Sequence, residues 1–348
     1  MRQCGPTPRL EAFRVLDRVS AMPHDFNSRL ALSRHSTDRN GVARMRPELF
    51  AELWADESTR FIVLWKGRAR MVANALVLMS PTEMDAAGLG LENSSDALRL
   101  YLGQSLEGAP GEAAGTSFVA VVLSDEQAQG LEEPEADWSD LRLVAPVLTD
   151  RDAGLFTQAL ALANWHLSHG HSPKSGAATQ PDQAGWVRTS ATDGAQVFPR
   201  TDPAIIVMIT DHDDRLLLGN NAMWEPNRFS LLAGYVEPGE SLEAAVIREV
   251  FEESGVTVVD PVYLGSQPWP FPASLMLGFH AKLAPGFDAE DLTPDGEEIL
   301  AVKWFTRDEL RASTDTIILP GPVSIARAMI EHWLGEKLDQ DVTWLGLR

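Results

Sequence analysis

Three glutamates, Glu249, Glu252 and Glu253, stand at i, i+3 and i+4 in the run IREVFEESG. On a helix that spacing brings their carboxylates onto one face. Like charges so placed weaken an isolated helix by roughly a few tenths of a kcal/mol each. A hard divalent cation reverses the sign, because Mg²⁺ prefers carboxylate oxygens together with substrate phosphate. Taken alone, E-x-x-E-E is more often a solvated acidic face.

The elements around these carboxylates can be read from the same segment. Ser241 suits a helix N-cap, and Leu242, Ala245, Val246 and Val250 then fall on one apolar face. Gly255 stands where a left-handed residue ends such a helix, and Glu237-Pro238-Gly239 is turn chemistry. The unit reads loop, helix, loop. Arg248 reaches back by one and two turns to pair with Glu240 or Glu243.

A second segment, Ser266–Ser274 (SQPWPFPAS), follows eleven residues later. Its prolines forbid a regular strand and stiffen the backbone, presenting Trp269 and Phe271 at set angles. Such aromatics suit stacking on a flat ring, with Gln267 and Ser274 as hydrogen-bonding groups; equally, they suit packing on a core.

The rest of the chain frames these segments. Phe61–Trp65 and Phe118–Leu123 read as short buried strands of an N-terminal α+β domain over residues 1–148, with loops at Glu107–Thr116 and Ser124–Asp140. No catalytic constellation stands out there. Residues 149–199 read as a helix, Asp150–Leu167, capped by Asp150 or Asp152, then a Gly/Ser/Pro-rich linker, Ser168–Gly185. Over 200–348 the strands Ala204–Ile209, Arg215–Leu218, Phe229–Leu232, Val256–Leu264, Leu275–Ala281 and Ile299–Phe305, with a closing helix Val323–Leu338, predict an α/β/α sandwich.

Among 348 residues the formal net charge is −21 and the only cysteine is Cys4. So acidic a chain repels phosphate backbones in general. One cysteine excludes an internal disulfide and any multi-cysteine zinc site. The first residues lack an apolar signal core, and no stretch approaches the ~20 apolar residues of a membrane helix. A cytoplasmic protein without membrane partners is expected.

Gly234–Val256, GYVEPGESLEAAVIREVFEESGV, matches G-x5-E-x7-R-E-U-x-E-E-x-G-U at every fixed place. By this pattern the chain resembles the Nudix hydrolases, which cleave a nucleoside diphosphate linked to another group with Mg²⁺ or Mn²⁺ and an activated water. The resemblance implies Glu249, Glu252, Glu253 and the Gly234 carbonyl as metal ligands, with Glu240 and Arg248 orienting the helix. S-Q-P-W-P-F-P-x-S resembles the NADH pyrophosphatase branch, whose bacterial members also remove NAD caps from RNA. Phe198–Pro203 and Ser324–Arg327 resemble that branch too. It implies Tyr235, Gln267, Trp269, Ser274, Met276 and Ala326 as dinucleotide contacts, Phe198 as a further stacking ring, and Glu298, or its neighbour Glu297, as an added metal ligand.

That branch carries a four-cysteine zinc ribbon ahead of its Nudix domain. Here Ser172, Ser175, Ser190 and Asp193 occupy the cysteine places, so a degenerate ribbon without zinc is expected, with His166, His169 and His171 as surface residues. The expected activity is hydrolysis of NAD(H) to nicotinamide mononucleotide and AMP, in a homodimer. NAD-capped RNA, ADP-ribose or another nucleoside diphosphate derivative is the alternative substrate. A non-enzymatic NAD or ADP-ribose sensor is disfavoured by the intact glutamates.

Overall fold

The computed structural model describes residues 26–92, 97–131 and 137–338. Cys4 lies outside them. The described chain is a mixed α+β protein built on three sheets.

The first sheet contains β1 (Thr37–Asp38), β2 (Arg60–Trp65), β3 (Arg68–Val72), β4 (Ala75–Leu76), β5 (Leu98–Ser105), β6 (Ser117–Val122) and β7 (Asp137–Asp140). Its order is β1-β5-β6-β2-β3-β4, with β7 also on β3. Side chains alternate between its faces. Phe61, Val63, Val119 and Val121 join one core, while Ile62, Leu64, Phe118 and Ala120 join the other. Helices α1 (Leu49–Ala55), α2 (Pro81–Ala86), α3 (Asp125–Gln129) and α4 (Leu141–Val144) surround the sheet. The expected loop Ser124–Asp140 thus holds a helix and a strand. A Ser124 capping box starts the helix, and pairing to β3 makes the strand; its own sequence has no apolar period.

The long helix α5 (Asp150–Ser168) buries Ala153, Phe156, Leu160 and Ala163 against the first sheet. Thr149, one residue before the expected caps, caps it by accepting from the Asp152 N–H. Asp152 is instead buried, accepting from the Leu76 N–H and pairing with Arg151.

The expected linker after α5 is not structureless. β8 (Thr179–Asp182), β9 (Val187–Ser190) and β10 (Gln196–Val197) form a small antiparallel sheet. Two loops at its edge share one hydrogen-bond pattern. Ser172 N–H donates to Ala177 O and Gly176 N–H to Ser172 O; Ser190 N–H donates to Ala195 O and Gly194 N–H to Ser190 O. Gly176 and Gly194 take φ of 71° and 67°, where a side chain is strained. Asp193 bonds the side chains of Ser190 and Ser175, which with the Ala195 N–H hold its carboxyl below the usual range. The four positions therefore meet as three hydroxyls and one carboxylate. That set provides no thiolate and does not fit a structural zinc ion.

His166 is a correction. It is buried, with Nε2 on Gly185 O at 2.8 Å and Nδ1 on the Arg188 guanidinium at 2.8 Å. It lies on the inner face of α5, where its ring satisfies the ribbon's backbone. His171 is exposed as expected.

The third sheet contains β11 (Asp202–Thr210), β12 (Leu216–Asn221), β13 (Leu232–Tyr235), β14 (Val258–Trp269), β15 (Ser274–Leu283) and β16 (Ile299–Phe305). Its order is β14-β15-β11-β12-β16, with β13 also on β11, and β11 runs parallel to β15. Helix α6 (Leu242–Ser254) covers one face, and α7 (Arg307–Ala312) and α8 (Ile325–Leu334) lie against the other. β11 is apolar from Ala204 to Ile209 because both its faces are covered there: Ile205, Val207 and Ile209 meet α6, and Ile206 and Met208 meet α8. This is the α/β/α sandwich expected for this part of the chain.

Two further expectations need correcting. β14 continues through Pro268 to Trp269, so the proline segment begins inside a strand. β14 is an edge strand of this sheet, and the N–H that Pro268 lacks has no ladder partner to lose. The strand leading into the motif is Leu232–Tyr235, three residues later than expected, which puts Gly234 opposite Ile205 within the sheet.

Candidate active site

Ser241 accepts from the Ala244 N–H and Gly255 closes α6 at φ 76°, so both helix ends lie where their residue types place them. Ala245, Val246 and Val250 are fully buried beneath the helix. Their burial is worth on the order of several kcal/mol, far more than like-charge repulsion takes away. The helix can therefore carry a row of carboxylates.

Arg248 organises that row. Its Nε and Nη2 reach the Glu240 oxygens at 2.8 and 2.9 Å, and Nη2 also donates to Tyr235 O at 3.1 Å. Nη1 contacts Glu249 at 2.9 Å and Glu252 at 3.0 Å. Of the two expected partners for Arg248, Glu240 is the one taken. The guanidinium, with the Glu237 N–H, pulls the Glu240 carboxyl down to about 2.

Glu253 is buried, and its carboxyl is pushed up to about 9 by desolvation, then by Glu249, Glu298 and Asp295; a backbone hydrogen bond from Ala233 opposes this. Its Oε2 is buried with no hydrogen-bond partner. The Glu249 carboxyl is also raised, first by burial, against the opposing pull of Arg248. Gly234 lies against Glu249 so closely that a Cβ there would meet Glu249 Cδ at 2.0 Å. Asp295 Oδ1 accepts from the N–H groups of Glu297, Glu298 and Ile299 at 2.6 to 3.0 Å, folding the turn that carries Glu298.

Glu253 and Glu298 line one cavity of about 300 Å³ together with Trp269, Met276 and Ala326. Glu297 does not line it. Ser324, from the branch-like segment Ser324–Arg327, lines it too, as do three polar or aromatic residues that the sequence reading did not single out: Asn221, Trp224 and Arg228. Asn221 and Arg228 fall at the end of β12 and in the loop after it. No period or motif marks that loop; its one sequence signal is a Trp and an Arg just ahead of the glutamate box.

Other expected residues sit around this cavity without lining it. Tyr235, 57% exposed, bonds Ser274 Oγ through its hydroxyl at 3.0 Å. Phe198 is also exposed. Gln267 is fully buried and donates to Val323 O at 2.9 Å, tying β14 to the chain ahead of α8. Phe271 stands edge-on to Trp269, with centroids 5.1 Å apart, and faces a second, larger cavity with Arg142, Asn164 and Arg200. Glu252 points away, its side chain 57% exposed and held by Arg248.

Among the described residues no three His, Cys, Asp or Glu side chains stand close enough to hold a metal as they are. The chemistry of the donors nevertheless suits a hard cation. A buried unpartnered carboxylate oxygen and two raised carboxyls are each disfavoured by themselves, and each is relieved by positive charge between Glu249, Glu253 and Glu298.

Comparison with known proteins places the chain in a family. Residues 200–322 match the family model of the NUDIX domain, and residues 58–165 match that of the NADH pyrophosphatase-like rudimentary NUDIX domain. The NAD-capped RNA hydrolase NudC of Mycobacterium bovis is 38% identical over 329 residues, 91% of this chain and 99% of that protein. A protein of the same name from Stutzerimonas stutzeri is 39% identical over 205 residues, covering 59% of this chain and 70% of its own length. The NAD-capped RNA hydrolase NUDT12 of Macaca fascicularis is 33% identical over 201 residues, 54% of this chain and 43% of its own. With a relative matched over nearly its whole length and both halves matched by family models, the chain belongs to the Nudix hydrolase family, in the group whose N-terminal half is NADH pyrophosphatase-like.

Proposed function

We propose that the protein hydrolyses the pyrophosphate bond of NAD(H), water adding across it to give nicotinamide mononucleotide, oxidised or reduced, and AMP. The observation that carries this reading is the single cavity in which Glu253 and Glu298 face Trp269, Met276 and Ala326. One end suits a diphosphate and the other a flat base. Its volume is at the small end for ligand sites, so it encloses part of a dinucleotide. The remainder would lie along the surface toward Ser274, Tyr235 and Phe198.

Bound Mg²⁺ or Mn²⁺ supplies the charge that neutralises the diphosphate and activates water. Glu249, Glu253, Glu298 and the Gly234 carbonyl are the groups that would hold it. Arg248 keeps Glu249 in place, and Asp295 keeps Glu298 in place. Glu252, bound to the same guanidinium, is free to leave it and join them or to take a proton from water. Trp269 and Met276 exclude bulk water from the base end. The three hydroxyls and carboxylate of the ribbon take no part.

Incubating the protein with NADH and each divalent metal, and assaying for AMP, tests the proposal. Folded protein that releases no AMP with any of them would end it. The names of the relatives favour NAD-capped RNA as a second substrate, and comparing free NADH with an NAD-capped oligonucleotide across salt concentrations separates the two. We also propose that the protein works as a homodimer, a reading supported by the family resemblance, and that it works in the cytoplasm.

A further inference from the structure

The proposed reaction leaves the N-terminal half without a task, yet that half grips the hairpin between β14 and β15 at several points. Asn164, on α5, donates its side-chain N–H to Pro270 O at 2.9 Å and reaches Pro272 O at 3.4 Å, the two carbonyls that flank Phe271. The Arg142 guanidinium stacks over the Phe271 ring, 4.1 Å from its centroid. Phe271 in turn meets Trp269 edge to face. Farther along β14, both main-chain groups of Ser266 are taken by the N-terminal segment: its N–H donates to Asn27 Oδ1 at 3.0 Å, and its carbonyl accepts from Ser33 Oγ at 2.7 Å. Trp269 and Phe271 pack against the core of the first sheet and α5, not that of the third sheet.

A short hairpin with three prolines has few main-chain donors of its own, and β14 is a sheet edge with one side unpaired. Its aromatic residues therefore take their orientation from whatever they lean on. Here that support is α5 and the helix carrying Arg142. Trp269 is the only one of the two aromatics that reaches the cavity. Phe271 is thus a wedge behind Trp269, and Asn164 is the latch that holds the wedge.

We propose that Asn164 is a positioning residue for the substrate's base. Through it the N-terminal half sets the affinity of the Nudix site, acting on Trp269 and not on the carboxylates. This rests on the proposed function only in taking the base to lie against Trp269. The same logic gives Phe271 and Arg142 a supporting role in place of direct substrate contact.

The test compares Asn164→Asp, which keeps the shape and removes the donor, with Asn164→Gln, which keeps an amide on a longer stem. Loss of one hydrogen bond corresponds to a KM for NADH raised up to roughly tenfold. With kcat within about twofold and partial recovery in Asn164→Gln, the proposal is supported. An unchanged KM, or a kcat that falls in step with the melting temperature, overturns it. Amide hydrogen exchange supplies a readout that needs no substrate. The Phe271 N–H, bonded to Trp269 O at 2.7 Å, should exchange severalfold faster in Asn164→Asp while residues 242–254 do not change. Faster exchange in Asn164→Asp, when the wild-type protein never cleaves NADH, would keep the latch and discard the substrate; unchanged exchange discards the latch whatever the substrate.

Discussion

Gly234 and Glu249 touch across the gap between β13 and α6, and the glutamate carboxyl occupies the space where any side chain at position 234 would begin. The carboxyl is thereby seated against the strand backbone, and only glycine permits it. Gly234→Ala must push Glu249 away or open the strand. A displacement of about 1 Å at a reacting centre costs on the order of a hundredfold in rate. Steady-state kcat for Gly234→Ala should fall by about that factor with the melting curve little changed, and a fall below threefold would show that Glu249 does not need this position.

Glu253 should trade stability for activity. Its folded-state proton affinity is raised above the unfolded value, so its contribution to stability is whole below about pH 4.5 and is lost as pH rises toward about 9. Glu253→Gln removes that loss. Without metal, the variant should be more stable than wild type by about 1–3 kcal/mol at neutral pH, the gap widening with pH, while turnover falls at least a hundredfold. Added Mg²⁺ should reverse the order by stabilising the wild type alone, by about 2.7 kcal/mol at a hundred times its Kd. Urea melts with and without Mg²⁺ measure both effects.

His166 gives the opposite pH signature. Burial, and then the nearby Arg188 charge against the pull of Gly185 O, lowers it from 6.5 to about 4. Between those values the unfolded chain binds a proton that the folded one refuses, so stability falls as pH drops from about 6.5 to 4. The expected loss is about 2 kcal/mol, and His166→Gln should flatten it. Denaturant melts of both proteins at pH 7.5 and 4.5 decide the matter; parallel losses in the two would clear His166 of the effect.

The ribbon should behave as a metal-free joint. Purified protein, analysed by mass spectrometry of its metals, is expected to hold well under one zinc per chain. Ser190→Ala removes buried hydrogen bonds and should cost about 1 kcal/mol. Conversely, cysteines placed together at 172, 175, 190 and 193 should take up one zinc per chain, because the two loops already share a backbone pattern. Failure of the fourfold variant to bind zinc would mean that the loops do not face each other as described.

How much of this could be read from residues alone depended on whether a feature was local. The cap at Ser241, the stop at Gly255 and the glutamate spacing are one-helix properties, and they appear as expected. The fate of Pro268 depended on which strand forms a sheet edge, which spacing does not reveal. Of Glu297 and Glu298 only the second lines the cavity, and the Asp295 turn that carries it is set by backbone bonds no spacing reveals. Trp224 and Arg228 went unnoticed because a cavity wall borrowed from a loop leaves no period. His166 sat in a polar stretch that reads as surface, and its burial follows from a small sheet whose strands are scarcely apolar.

The knuckles of serine and aspartate also set how the protein meets oxidative stress. Thiolates climb through sulfenic and sulfinic states when peroxide is present, and a cluster built on them releases its ion as they do. Hydroxyls and a carboxylate have no such ladder. Cys4 is the only thiol in the chain, so thiol oxidation has no group to act on in the joint between its two halves. The site it supports is therefore not tied to the state of a zinc-thiolate cluster.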